Sequence, residues 1–340
     1  MKKIFLPEFK KLLRLGHFPL VALAAVLLTA VLSFLPNSHP HPYSDEVYKQ
    51  YTARLKGKLT QEKLKALEDR LTEIESLISA YEQMQQNYQR GEIDLTEYSD
   101  FTKRHGQAQA ERSTVAYMCQ KYRKLIALKG FDKQIFCDTP WADFFEDNTL
   151  DLVMLLALLC VAVPAFDVEF AASSAPLLLT SKYGKSPLAV AKLASVALSV
   201  FALSLTLSAV RLTAFACQSG LPNANAAAAN LLLSQSTGKT TLIGYFLIDA
   251  LLKAMAYTFY ALAACLIASA CKNTAFSFVI SFLACVTPLF LVENNQNLFL
   301  CASVLRKMYS SLPPVTYAAV TLCKQTAVVT LTPLCWKRKQ

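Results

Sequence analysis

Phe18 to Leu35 is a run of eighteen residues without a charge, about the minimum length for a helix that crosses a membrane. A cleaved signal peptide is the competing assignment. The run is longer than the usual apolar region of such a peptide, and no A-x-A-like site clearly follows it. Further apolar runs fill the second half of the chain, so the first is read as a retained span. The chain is 54% hydrophobic and 17% charged, against about 25% charge in an average soluble protein. From Tyr43 to Asn148 there are 16 Lys/Arg and 18 Asp/Glu, whereas the remaining residues hold 18 basic and 6 acidic side chains. All of the net charge of +10 therefore lies among or beside the apolar runs. That pattern follows the positive-inside rule, and it excludes a soluble single-core enzyme and a nucleic-acid binder.

Ahead of the first run, residues 1–17 carry Lys2, Lys3, Lys10, Lys11 and Arg14 with one acid, Glu8. Pro7 suits a first helical position, Glu8 the positive end of the helix dipole and Gly16 a stop. Phe9, Leu12 and Leu13 share a face. This segment reads as an amphipathic helix at a membrane surface, with an ordinary charged flank as the alternative. The basic cluster keeps the N-terminus in the cytoplasm.

Residues 36–148 form a polar region that this topology places outside the cytoplasm. Between Thr60 and Arg90, Leu64, Leu67, Leu71, Ile74, Leu77, Ile78, Tyr81 and Met84 recur at helical spacing, a seam of coiled-coil type. Arg90-Gly91-Glu92-Ile93 breaks it, and Asp94-Leu95-Thr96-Glu97 resembles a capping box opening a second helix toward Lys129-Gly130. Two long helices joined by so short a turn predict an antiparallel hairpin packed along the seam. Pro140-Trp141, Phe144 and Phe145 are expected to return the chain to the membrane interface as aromatic anchors.

The ten cysteines make no disulfide framework, because most sit in apolar runs where Cys acts as a small hydrophobe. Cys119 and Cys137 are the exceptions. A bond between them would close a loop worth about 3 kcal/mol in the loop-entropy model; two unpaired thiols are the alternative.

Residues 149–340 read as a transmembrane domain with spans at about 150–166, 193–210, 242–270, 275–292 and 315–336. Lys192 and Arg211 bracket the third span, which is rich in Ala and Ser and suited to close helix packing. Asp249 and Lys253, four apart on one helix face, are a candidate intramembrane ion pair, with each other or with neighbours in the bundle. The last span carries Lys324-Gln325 in its middle. An even span count nevertheless returns Lys337-Arg338-Lys339 to the cytoplasmic side. The expected fold is an all-α membrane protein of about six transmembrane helices, with the extracytoplasmic helical hairpin between spans 1 and 2.

Chemistry of a catalytic kind is missing from the sequence. Ser236-Thr237-Gly238-Lys239-Thr240 ends like a P-loop, but Leu233 stands where that motif needs Gly. The four histidines show no metal-ligand spacing. No nucleophile elbow or carboxylate pair appears, so the chain is read as no enzyme, with no cofactor or metal of its own.

The segment between the second and third spans runs Asp167-Val168-Glu169-Phe170, then Leu177-Leu178-Leu179-Thr180-Ser181-Lys182-Tyr183-Gly184-Lys185, with Lys192 in the following helix. Here the chain resembles the permease subunits of type-2 ABC transporters, in which an acid is followed by Leu-Leu, a Ser/Thr pair, Gly-Arg and a Lys within the third helix. Glu169, Leu178, Leu179, Thr180, Ser181, Gly184 and Lys192 match; Lys185 replaces the usual Arg, and the small Gly common after the acid is here Ala or Ser. Glu8 with Lys10-Lys11, the helical insert, the re-entry at Trp141 and the turn Ser269-Ala270-Cys271-Lys272-Asn273 look like permeases of this kind from Gram-positive bacteria. The resemblance covers the chain to about Val292; beyond that, the family usually has a longer outer segment and a cleaner last helix.

The resemblance implies a multi-pass cell-membrane permease, an exporter, working as a homo- or heterodimer in lipid with a separate cytoplasmic ABC ATPase that binds the ATP and Mg. It implies that Glu169, Thr180, Ser181, Gly184 and Lys185 couple the permease to that ATPase. A hydrophobic peptide, lipid or drug suits a path lined by Ala, Ser and Phe. The rival reading is a membrane-anchored extracytoplasmic sensor or receptor without transport activity.

Overall fold

Charge and hydropathy sort the chain into two units, and the computed structural model describes residues 2–14, 17–35, 40–147, 149–166, 186–232, 240–271, 273–291 and 314–337. The chain is mostly helical. Among the described residues four stretches are long and apolar enough to cross a membrane: His17–Phe34, Thr139–Phe166, Ser186–Ser219 and Leu242–Ala270. The coarse class is thus that of an all-α membrane protein.

One unit comprises Met1–Pro36, Asp147–Gly220 and Phe246–Gln340. Its helices are α1 (Lys2–Arg14) and α2 (His17–Phe34). The polar region supplies α3 to α7, described below, and α8 is Thr149–Ala162. Then come α9 (Ser186–Ser219), α10 (Leu242–Ala270), α11 (Thr274–Leu291) and α12 (Pro314–Lys337). Ala189, Leu193, Val196, Val200, Leu203 and Leu207 are buried along α9. Their alternating steps of four and three make one continuous seam. Ala254, Tyr257, Ala261, Ala264 and Ala268 repeat the pattern on α10. Ser195, Ser199, Ser204 and Ser208 lie buried beside the α9 seam, where small side chains let helices approach without a hydrophobic driving force. By contrast α2 exposes Leu20, Leu23, Leu27, Leu28 and Val31. Few soluble surfaces carry such an apolar patch.

Pro7 falls inside α1, not at its first position as the sequence suggested. Ile4 and Phe5 are half-buried, and Phe5 stacks on Phe9 at 5.8 Å, so burial extends the helix ahead of the proline. The marginal last segment is helical as α12, and Gln325 donates its amide to the Met255 carbonyl on α10 at 2.8 Å. A polar side chain in an apolar bundle is tolerated when a neighbouring helix supplies such a partner.

The other unit comprises Asn37–Glu146 and Leu221–Tyr245. It contains α3 (Asp45–Arg54), β1 (Gly57–Lys58), α4 (Gln61–Ser79), α5 (Tyr81–Gln89), α6 (Leu95–Ala127), β2 (Gln134–Ile135) and α7 (Thr139–Glu146). Leu64, Leu67 and Ile74 of α4 are buried in one core with Ala108, Val115, Met118, Tyr122 and Leu125 of α6. Cross-contacts run Glu68 to Arg123 at 2.6 Å and Arg70 to Glu111 at 3.0 Å. Ring stacks then join Tyr81 to His105 and Tyr88 to Tyr98. The partners descend along α6 as the first strand of the pair advances. Gly91 takes the left-handed turn between them at φ +74°, which costs glycine little. Asp94 is the N-cap of α6, but its carboxylate accepts from the Leu95 N–H at 2.8 Å where a capping box would use the N–H of Glu97.

Two features of this unit differ from the sequence expectation. Trp141 is fully buried and Phe144 and Phe145 nearly so; they stack on one another and against Tyr245. They are core residues rather than interfacial anchors, because Leu221–Tyr245 folds over them. That segment is tied down by Trp141, whose indole N–H donates to the Pro222 carbonyl at 2.6 Å. Asn230 does the same from the other side: it is buried, accepts from the Gln134 N–H at 3.1 Å and donates to the Asp132 carbonyl at 3.3 Å.

Candidate functional site

Asp249, Lys253 and Tyr257 follow one another at four-residue steps on α10, so all three lie on one face. That face meets the start of α8. Lys253 Nζ lies 3.7 Å from Asp249 and 3.5 Å from Asp151, while the Tyr257 hydroxyl donates to Asp151. The Asp151 side chain is 4% exposed and that of Lys253 10%. Asp151 sits in the first turn of α8, where the helix dipole favours an anion. One turn earlier along the chain, Arg211 of α9 pairs with Asp147 at 3.4 Å and donates to its carbonyl at 3.2 Å. Three carboxylates and two cations are thus gathered where the three most buried helices of the unit meet. Ionisable groups in such a bundle are costly and mark candidate pathways for charge or polar substrate. Paired, they hold the three helices in one register; a change in either pair would release it.

A second feature lies at the far end of α8. Lys192, 4% exposed, donates from Nζ to the Ala165 carbonyl at 2.8 Å and stands 5.4 Å from the centre of the Phe166 ring. A cation there satisfies a carbonyl at the C-terminal end of the helix, opposes its dipole and uses the ring face. The chain at Ala165 and Phe166 is thereby tied to α9. The residues assigned to coupling, Glu169, Thr180, Ser181, Gly184 and Lys185, lie outside the described residues.

In the polar unit Lys121 reaches Asp138 and donates to the Tyr48 hydroxyl at 2.9 Å, and that hydroxyl donates to Asp138 at 2.6 Å. Lys121 and Asp138 are both about 95% buried. Burial, and then the Asp138 charge, push the Tyr48 hydroxyl well above its ordinary pKa, and burial with the Asp138 and Glu146 charges takes Tyr117 up to about 12. Both hydroxyls stay protonated near neutrality, so Tyr48 can only donate to the carboxylate. Asp138 also caps α7, its carbonyl accepting from the Ala142 N–H at 2.9 Å. The triad joins α3, α6 and the start of α7. Cys119, buried, and Cys137, half-buried, are free cysteines; a bond between them is not the arrangement this structure holds.

Of the residues singled out in the sequence, Asp249 and Lys253 do come together. Asp147, Asp151, Arg211 and Tyr257 complete the cluster and were missed as members. The four-residue spacing extends to Tyr257 and was legible; the meeting with Asp151 was not, because it depends on how α8 packs. No protein-family model, no curated protein and no solved structure matches the chain.

Proposed function

We propose that this chain is the membrane subunit of an ATP-driven exporter of the type-2 ABC class, with hydrolysis performed by a separate cytoplasmic ATPase. The observation that carries the reading is Lys192. In the motif the lysine follows the loop inside the third helix, and here that lysine is a buried tie between the two helices that bracket the loop. A tie between the helices that flank residues 167–185 lets a push on that segment reach both of them. Closure of two ATPase subunits on ATP then drives residues 167–185 against α8 and α9 and reorients the bundle.

The topology draws on a second observation. Asn37–Glu146 and Leu221–Tyr245 fold into one unit, although the chain passes through α8 and α9 between them. Two crossings return a chain to the side it left, so both segments belong on one side. The basic N-terminus supports placing that side outside the cytoplasm, and the reading keeps six spans with an extracytoplasmic antiparallel hairpin. The permease works as a dimer in the cell membrane.

Reversing two loop charges together, Glu169→Lys with Lys185→Glu, tests the coupling. The variant should insert in the membrane at normal levels and lose permease-stimulated ATP hydrolysis at least tenfold. Normal insertion with unchanged stimulation would remove the coupling role from this loop.

A further inference from the structure

A groove of about 450 Å³ runs between α1, α2 and α9, within the size range of small-molecule sites. Phe9 and Leu13 of α1 contribute to its lining. Phe18, Ala22 and Val26 line one wall at four-residue steps, and Leu198, Ala202 and Thr206 line the other. Eight residues of helix span about 12 Å, so the groove is a narrow slot parallel to the helices. Its shape suits an extended hydrocarbon chain.

Two observations say more about the occupant. Ser199 lines the slot, is 4% exposed, and its hydroxyl has no hydrogen-bond partner among the described residues. Its neighbour one turn back, Ser195, bonds the Ala191 carbonyl in the usual helical way. A buried hydroxyl left unpaired is costly, and an ester oxygen in the slot would satisfy it. Lys10 and Arg14 are exposed, and each follows a lining residue, Phe9 and Leu13, by one position, about 100° around α1. A cationic row beside an apolar slot complements an anionic headgroup whose tail enters between the helices.

We propose that this slot is a site for one anionic phospholipid, with an acyl chain between α2 and α9, an ester oxygen at Ser199 and the phosphate at Lys10 and Arg14. The lipid fixes α1 against the bundle at the membrane surface. The site stands independently of the transport reading.

The test uses the full chain in detergent, supplied with an equimolar mixture of phosphatidylglycerol and phosphatidylcholine, with retained lipid counted by native mass spectrometry. The wild type should keep one phosphatidylglycerol in preference to phosphatidylcholine. Lys10→Ala with Arg14→Ala should reduce that preference about tenfold. Ala202→Trp should abolish retention of the tightly held lipid, and Thr206→Trp, a second plug, should do the same. Both plugs sit on exposed positions of α9, and a melt matching the wild type confirms that they fold. Equal retention of the two lipids by the wild type would overturn the headgroup assignment and leave an unselective apolar groove. Retention unaffected by either folded tryptophan variant would place the lipid elsewhere and overturn the site.

Discussion

Lys253→Ala should destabilise the purified chain by about 3–5 kcal/mol, the cost of leaving a buried carboxylate without its partner. The carboxylate at stake is Asp151, which among the described residues keeps the Tyr257 hydroxyl once the ammonium is gone. The loss should appear as a lower melting temperature in detergent and a reduced yield of folded chain. Removing both charges, Asp151→Ala with Lys253→Ala, should restore most of the stability, because replacing a buried pair by apolar groups is often neutral. Asp249→Ala should cost much less, since that side chain is 24% exposed and Lys253 retains Asp151. A Lys253→Ala chain that melts like its parent would mean that the helices do not bury this pair.

Lys121→Ala should produce an effect of similar size in the polar unit, again about 3–5 kcal/mol. Lys121 is the cation paired with Asp138, and both side chains lie inside the core. Tyr48→Phe should cost less, about 1.5–3 kcal/mol for one hydrogen bond to a charged group, because Lys121 remains. Lys121→Arg is not a rescue: a planar fork needs room and partners that a compact ammonium does not. The ordering Lys121→Ala worse than Tyr48→Phe, read by thermal melts of the full chain, checks the geometry; the reverse ordering would contradict it.

The two units were unequally legible in the sequence. The polar one announced itself through local signals. Leu64, Leu67 and Ile74 fall at helical spacing and are buried, Gly91 stands at the turn, and Asp94 caps the helix that follows. Such signals work because α4 has an apolar face set against a charged one. The docking of Leu221–Tyr245 left no such trace. Its ties are made by single side chains, Trp141 and Asn230, to backbone groups far away in sequence, and no periodicity records them.

The apolar unit was legible in its helices but not in their arrangement. A helix that is apolar all round carries no marked face, so α8, α9 and α10 give no pattern from which their neighbours follow. Arg211 stood in the sequence as one bracket of the third span, whereas packing joins it to Asp147, and joins Asp151 to Lys253. Lys192 was legible only as a motif residue. Its contact with the Ala165 carbonyl explains why a lysine is useful there: it is a long side chain with a compact charge, able to reach a helix end from inside the next helix.

The central claim is that this chain couples to a separate ATPase, and isolating the intact chain tests it most directly. A tagged copy, extracted in mild detergent from the membranes in which it naturally resides, should bring with it in stoichiometric amount a cytoplasmic protein bearing a G-x-x-x-x-G-K-[ST] loop, and the complex should hydrolyse ATP. A folded chain that is isolated without any such ATPase, or that brings a kinase instead, would contradict the transporter reading and favour a sensor.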